Sequence, residues 1–274
     1  MLLKRVFVVC AFLMHAGFLW AAYINPPKEV NVTKWSAVKA YLDKTKSDPL
    51  SVTRIDLTGR KLKEIPSWVF EHTPNVETLN LNNNAIEHVS AGIGQLRALK
   101  ELSLFGNRVR GIHGNIRKAE NLTRINLGNN DLHLIPDGIY GLPELRELIV
   151  SRNNIARVSP AIGGFTKLVT LDLSKNPLQS VPHEIGSLHA MKYLLLSNTH
   201  IDGLPQSIKH LAPGIPARAS DHPGIEIDLR GTNLRRYHAA GEAVGQHGEI
   251  KLLGRDGIAR LFPGSFSKNI QFPK

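Results

Sequence analysis

LKELSLFGNRVRGIHGNIRKAEN (Leu99–Asn121), LTRINLGNNDLHLIPDGIYGLPE (Leu122–Glu144), LRELIVSRNNIARVSPAIGGFTK (Leu145–Lys167) and LVTLDLSKNPLQSVPHEIGSLHA (Leu168–Ala190) repeat one pattern without an inserted or missing residue. The same 23-residue spacing reaches back to Val76 and forward to Met191, which makes six consecutive units. A constant period of this length marks a stack of similar coils, each too small to bury its own apolar edge.

Positions 4 and 6 of each unit are apolar between polar neighbours, as in Leu102 and Leu104, Ile125 and Leu127, or Leu171 and Leu173. That is the period of a strand with one buried face. Position 9 carries Asn84, Asn107, Asn130, Asn153 and Asn176. There the chain turns out of the strand and leaves backbone groups without sheet partners. A buried amide can satisfy them, and stacked amides form a ladder. Positions 11, 14 and 18 are apolar again, for example Leu132, Ile135 and Ile139. Pro136, Pro182 and Pro205 follow position 14 and forbid a regular α-helix there, so that side is predicted to be extended or a short 3₁₀ turn.

The pattern resembles the leucine-rich repeat, L-x-x-L-x-L-x-x-N, at nearly every consensus position. Its 23-residue form, rich in I-P-x-x-I, is similar to the repeats of Ras-group and plant intracellular members of that family. The resemblance covers about two thirds of the chain. It implies an α/β repeat solenoid: a leucine-rich-repeat horseshoe with a parallel concave β-sheet, an irregular or 3₁₀ convex side and a short helical N-terminal cap. It also implies a protein–protein interaction module that binds through the concave face. The fold hosts many unrelated binders, so the partner does not follow from it.

The period sets the domain boundaries: residues 1–22 a signal peptide or signal anchor, 23–50 an N-terminal helical cap, 51–234 the solenoid of about eight repeats, and 235–274 a C-terminal cap and tail. Thr33 is placed to cap a helix from Lys34 to Lys44, with Trp35, Val38, Tyr41 and Leu42 on one face. Trp35 and Tyr41 read as cap core. Arg54-Ile55-Asp56-Leu57 opens a degenerate repeat with Arg60 at position 9, and Ile225–Leu229 restores the strand pattern after an insertion at 213–223 rich in turn formers. Eight parallel strands are expected. Beyond Leu234 the period fails, and Glu249–Leu253 reads as a closing strand followed by a helical turn over Arg255–Phe262. The tail LLGRDGIARLF is similar to closing segments of repeat proteins secreted by intracellular parasites, which implies a secreted protein of a parasite or bacterium.

With 274 residues and 42% hydrophobic content the chain can bury a sizeable core, and 6% aromatic content suits a repeat stack. Lys4 and Arg5, the apolar run Val6–Trp20 and the small Ala21 and Ala22 read as a secretory signal peptide. The alternative is a single-pass anchor over residues 6–24, close to the roughly 20 residues a bilayer requires. Either places the rest of the chain in a secreted or extracytoplasmic location. The one cysteine, Cys10, lies in that run, so the processed chain has no thiol and its fold rests on packing alone. The disulfide-bonded caps usual in animal extracellular members of the family have no counterpart here. Asn31 and Asn121 head N-x-T triplets, N-glycosylation acceptors in a eukaryotic host.

The net charge of +11, or +9 without Lys4 and Arg5, favours acidic partners, although basic residues spread over every repeat also serve simply as a solvated surface. On the outward face of the strands, Glu101, Arg124 and Glu147 alternate in sign at position 3, as in a cross-strand ion ladder. Position 5 is polar except at Ile149 and Leu195. With Phe105 and Tyr193 they place apolar surface inside a rim of Arg146, Arg152, Lys175 and Lys192. Aromatic residues beside arginine are the usual makings of a binding hot spot, whereas single exposed apolar residues are ordinary. These eight residues and Arg124 are the expected partner contacts.

No catalytic constellation appears. There is no G-x-S-x-G elbow, no cysteine for the ubiquitin-ligase chemistry fused to such repeats in bacterial effectors, and no H-E-x-x-H among the 12 histidines. His88, His113, His133 and His183 are expected in convex loops. The mixture of Asp and Glu with Arg on the sheet face speaks against nucleic acid. The expectation is therefore a monomeric, non-enzymatic binder of a protein partner, needing no cofactor or metal and touching membrane only through its N-terminal segment. The alternatives are an effector with an unrecognised C-terminal activity and a binder of an acidic glycan or anionic surface.

Overall fold

Inward-pointing residues at positions 4 and 6 allow each strand to stack on the next only in register. In the computed structural model, which describes residues 22–27, 30–211, 225–232 and 250–253, they do so. Strands β1 (Ala22–Ile24), β2 (Val52–Asp56), β3 (Thr78–Asn80), β5 (Glu101–Ser103), β7 (Arg124–Asn126), β8 (Glu147–Ile149), β9 (Thr170–Asp172), β10 (Tyr193–Leu195), β11 (Ile225–Asp228) and β12 (Ile250–Leu253) form one ten-stranded parallel sheet in that order. The position-4 residues from Ile55 to Ile227 are register partners, and each is at most 1% exposed. Two short strands, β4 (His88–Val89) and β6 (Gly111–Ile112), pair separately.

Beyond the eight repeat strands the sheet has β12, the closing strand expected over Glu249–Leu253, and β1, which was not expected. At the front, Tyr23 lies opposite Arg54 and Ile24 opposite Ile55, with Ile24 fully buried in line with the position-4 column. An apolar triplet at the end of a long apolar run has no periodicity of its own to mark it as strand. The residues 1–21 of the expected signal or anchor segment, the insertion at 213–223, Leu234 and the turn at 255–262 lie outside the described residues. Among the described residues no helix is long and apolar enough to cross a membrane.

Opposite the sheet, the chain runs through 3₁₀ turns at Ala91–Gln95, Gly114–Lys118, Asp137–Gly141, Pro160–Gly164, His183–Ser187 and Gln206–Leu211. A tight turn suits proline-flanked segments of this length better than an α-helix. Neighbouring turns come close: a Cβ on Gly186 would stand 2.3 Å from the Ser207 carbonyl oxygen. The architecture is thus an α/β repeat solenoid with a parallel sheet on one side and 3₁₀ turns on the other.

The front cap contains α1 (Trp35–Thr45), and the first repeat contains α2 (Ser67–His72). Helix α1 starts one residue later than expected, with Lys34 at the N-cap and no capping side chain. The Thr33 hydroxyl is engaged elsewhere, donating to Asn31 Oδ1 at 2.6 Å. Val38 and Leu42 are buried, and Trp35 and Tyr41 pack against the core half-buried. The Trp35 ring stacks on His72 with centroids 4.1 Å apart, and Trp68 Nε1 donates to the Val32 carbonyl at 2.8 Å, which ties the cap to the first repeat. Arg60, standing where later repeats have Asn, donates to the carbonyls of Pro26 and Pro27 and so holds the segment leading out of β1.

The turn amides form a ladder. Asn130 Nδ2 donates to the carbonyls of Leu127 (3.0 Å) in its own repeat and Leu104 (2.9 Å) in the preceding one, while its Oδ1 accepts from Val109 N–H at 2.9 Å. Asn84, Asn107, Asn153 and Asn176 make the same three bonds. In the last full unit Thr199 takes the place, and its hydroxyl reaches only the Leu196 carbonyl, at 2.8 Å.

Candidate functional site

The outward sheet face is built by positions 2, 3, 5, 7 and 8, and its strand ends decide which groups are left over for a ligand. Past position 5 the ladder continues through the position-6 N–H, which donates to the position-5 carbonyl of the next repeat, and then through the position-8 N–H, which donates to the position-7 carbonyl, as from Arg152 to Ser174 (2.9 Å) and from Lys175 to Ser197 (2.8 Å). Reaching that carbonyl puts position 8 in the left-handed region in every described repeat: Gly59, Asn83, Gly106, Asn129, Arg152, Lys175, Asn198 and Gly231 all have φ between 55° and 70°. Gly and Asn occupy this region readily. Arg152 and Lys175, each at φ 55°, do not.

The position-7 N–H turns toward the outward face and needs an oxygen there. The position-5 side chain supplies it from Asp56, Asn80, Asn126, Asp172 and Asp228, at 2.9 to 3.1 Å, and Asn82 Oδ1 supplies it for Phe105. The polar column at position 5 is therefore a set of strand-end caps. Ile149 and Leu195 interrupt it, and the N–H groups of Ser151 and Ser197 have no acceptor among the described residues. In the sequence the two aliphatic residues declare themselves only as surface, because nothing local shows which amide depends on the side chain at position 5.

The predicted contact residues divide into two groups. Arg124 pairs with Glu101 at position 3, and Lys100 with Glu77 at position 2 (2.8 Å), so these outward charges serve cross-strand pairing. An open depression of about 380 Å³ lies over β2 to β8, and it brings together Arg124 and Ile149 with Asn80, Asn82, Ser103 and Asn126. The last four were missed by sequence reasoning because polar residues on a solvated sheet carry no distinguishing pattern. The Phe105 ring is 38% exposed and lies beside Gly128, where a Cβ would come within 3.2 Å of it.

Arg146, Arg152, Lys175, Lys192, Tyr193 and Leu195 lie beyond that depression, toward the later repeats. The four basic side chains are exposed and engage no ion pair or side-chain hydrogen bond among the described residues. Tyr193 is 43% exposed, and Ile149 and Leu195 are half-buried. Position 2 carries Arg146 and Lys192 at the start of β8 and β10, and position 8 carries Arg152 and Lys175 past the ends of β8 and β9. Cations thus stand at both ends of the strands around an apolar centre.

Other groups are accounted for structurally. His88, His113, His133 and His183 are all exposed, with His88 in β4 and His113 Nδ1 accepting from Asn115 N–H at 3.1 Å. No three His, Cys, Asp or Glu side chains among the described residues converge as a metal requires. Burial pushes the Tyr140 phenol up to about 12, where its ring stacks on Phe165. Burial also pushes the Asp228 carboxyl up, but hydrogen bonds and the charge of Arg230 outweigh it and hold the group below its ordinary value. Asn31 and Asn121 are exposed, and the Asn121 amide donates to the Arg97 carbonyl at 2.8 Å.

Residues 51–109 match a family model described as Leucine rich repeat, and residues 121–142 and 167–188 match a second model of that description. No curated protein matches the chain by sequence. Among solved structures the chain is similar to a leucine-rich-repeat protein of Leptospira interrogans, with 22% identity over 80% of this chain and 72% of that one and a TM-score of 0.50. It is also similar to the plant peptide hormone receptor RGFR1 in complex with RGF2 (19% identity, 77% of this chain and 31% of that one, TM-score 0.55). A third is an internalin of Listeria monocytogenes (17% identity, 70% of this chain and 56% of that one, TM-score 0.55). At these identities the likeness is one of fold, and the chain spans only part of the last two.

Proposed function

Because the chain is a leucine-rich-repeat protein, of a family and fold that serve as interaction scaffolds, we propose that it is a non-enzymatic binder of a protein partner, engaged through the sheet face over β8 to β10. The observation that carries this reading is the set of cations Arg146, Arg152, Lys175 and Lys192, none ion-paired among the described residues, around Ile149, Tyr193 and Leu195. Two of those cations sit at φ 55°, where six of their counterparts are Gly or Asn. A side chain kept in an unfavourable backbone region is a pointer to use, because packing gives no reason for it. Aromatic and arginine anchors within an apolar centre fit the makeup of binding hot spots.

The protein acts outside the compartment that makes it. The N-terminal charge, apolar run and small residues support a signal peptide, and the use of Ala22–Ile24 as a sheet strand favours cleavage ahead of Ala22 over an anchor extending to Ile24. N-terminal sequencing of the exported chain tests this, and an intact Met1 would refute it.

For binding, a photo-crosslinking residue at Tyr193 is expected to form an adduct with the partner, and one at Leu134, on the far side and 62% exposed, is not. The triple variant Arg152→Glu, Lys175→Glu, Tyr193→Ala should lose the adduct without a change in circular dichroism. An adduct from Leu134 alone would place the interface elsewhere.

A further inference from the structure

The two strand ends that lack a cap specify the chemistry of the partner, an inference that rests on the face proposed above. Wherever position 5 is Asp or Asn, its oxygen closes the position-7 N–H of the same repeat. At Ile149 and Leu195 there is no oxygen, and Ser151 and Ser197 present donors toward the outward face with no acceptor among the described residues. For Ser151 the neighbour that could substitute, as Asn82 does for Phe105, is Gly128, which has no side chain. We propose that carboxylates of an acidic, extended segment of the partner fill these two positions, doing from outside what Asp and Asn do elsewhere in the fold.

Charge and spacing agree. Arg152 follows Ser151 directly, Lys175 stands past the end of the strand between, and Arg146 and Lys192 flank the same strands, none of them neutralised by a described partner. The acidic groups in this stretch do not compete equally. Asp172 is occupied by Ser174 N–H at 2.9 Å and Ser174 Oγ at 2.6 Å, and Asp228 by Arg230 at 2.7 Å. Glu147, and Glu226 at position 3 of β11, remain against four cations. The two vacant donors are two strands apart, or roughly 10 Å at the usual strand spacing. In an extended segment of polyproline II form, with three residues per turn at about 3.1 Å each, carboxylates three residues apart fall on one side and roughly cover that distance. A backbone N–H given to a carboxylate is a charge-assisted bond, stronger than one to a neutral oxygen. The aliphatic side chains of Ile149 and Leu195 exclude water beside it.

The test uses the full chain, ¹⁵N-labelled, titrated with an oligoglutamate peptide and separately with oligoglutamine of equal length. Oligoglutamate is expected to move the Ser151 and Ser197 amide resonances downfield, and oligoglutamine to leave them in place. Ile149→Asn with Leu195→Asn supplies the internal cap found at Asn80 and Asn126, and should weaken oligoglutamate binding by about tenfold or more. Ile149→Ala with Leu195→Ala removes the same apolar surface but leaves the donors open, and should lose clearly less oligoglutamate affinity than the Asn pair. Equal losses in the Asn and Ala variants would overturn the proposal. So would oligoglutamate shifts confined to Ser103 and Asn126 in the neighbouring depression, although those would leave the sheet face as the binding surface. Shifts confined to the 3₁₀ side would overturn both.

Discussion

Replacing Arg152 and Lys175 together by Asn should make the protein more stable while removing its binding. Both residues sit at φ 55°, in the positions where Asn83, Asn129 and Asn198 stand in other repeats. Asn is several-fold enriched over ordinary residues in the left-handed region. A fivefold preference corresponds to RT ln 5, about 1 kcal/mol per site, so the pair should gain roughly 2 kcal/mol. The two cations lie on adjacent repeats, and relief of their repulsion acts in the same direction. For a chain of this size such a gain raises the melting temperature by about 4 to 8 °C. Urea denaturation followed by circular dichroism reads it as a higher midpoint at an unchanged slope. The reverse substitution, Asn129→Arg, should lower the midpoint by the same per-site amount. If the double Asn variant were less stable than the parent, or Asn129→Arg were neutral, position 8 would carry no strain and the functional weight placed on these cations would lose its basis.

Asn130→Ala should destabilise the solenoid by roughly 3 kcal/mol in the same assay, since three buried backbone groups lose partners at about 1 kcal/mol each. Asn130→Thr should lose less, because a hydroxyl keeps one of the three bonds, as Thr199 does. Tyr140 ionises in the unfolded chain near pH 10 but in the folded one only at about 12. Its contribution is therefore intact below about pH 10 and lost as pH rises toward 12; urea midpoints from pH 9 to 12 should fall less steeply for Tyr140→Phe. Arg60→Ala should release the segment after β1 from its bonds to Pro26 and Pro27, seen as faster amide exchange in residues 22–27 with the later repeats unchanged.

The repeat was legible because its information is local. Positions 4, 6, 9, 11, 14 and 18 recur at fixed spacing, and a residue such as Leu127 needs only its own strand to declare which way it faces. The candidate site was legible only as a set of outward residues. Phe105, Arg124 and Tyr193 look alike in the sequence as exposed, non-consensus side chains, yet Arg124 is taken by Glu101 and the others are not.

Sequence alone determined that this chain stacks into a solenoid, which side chains enter its core and which face is left outside, since a period of 23 residues commits every unit to one conformation. Only the tertiary structure decided that Ala22–Ile24 adds a strand, that Arg152 and Lys175 stand in left-handed backbone, and that the Ser151 and Ser197 N–H groups find no acceptor among the described residues. Those outcomes depend on hydrogen bonds between neighbouring repeats, whose partners lie a full turn of the solenoid apart, and no local pattern records whether such a bond is made.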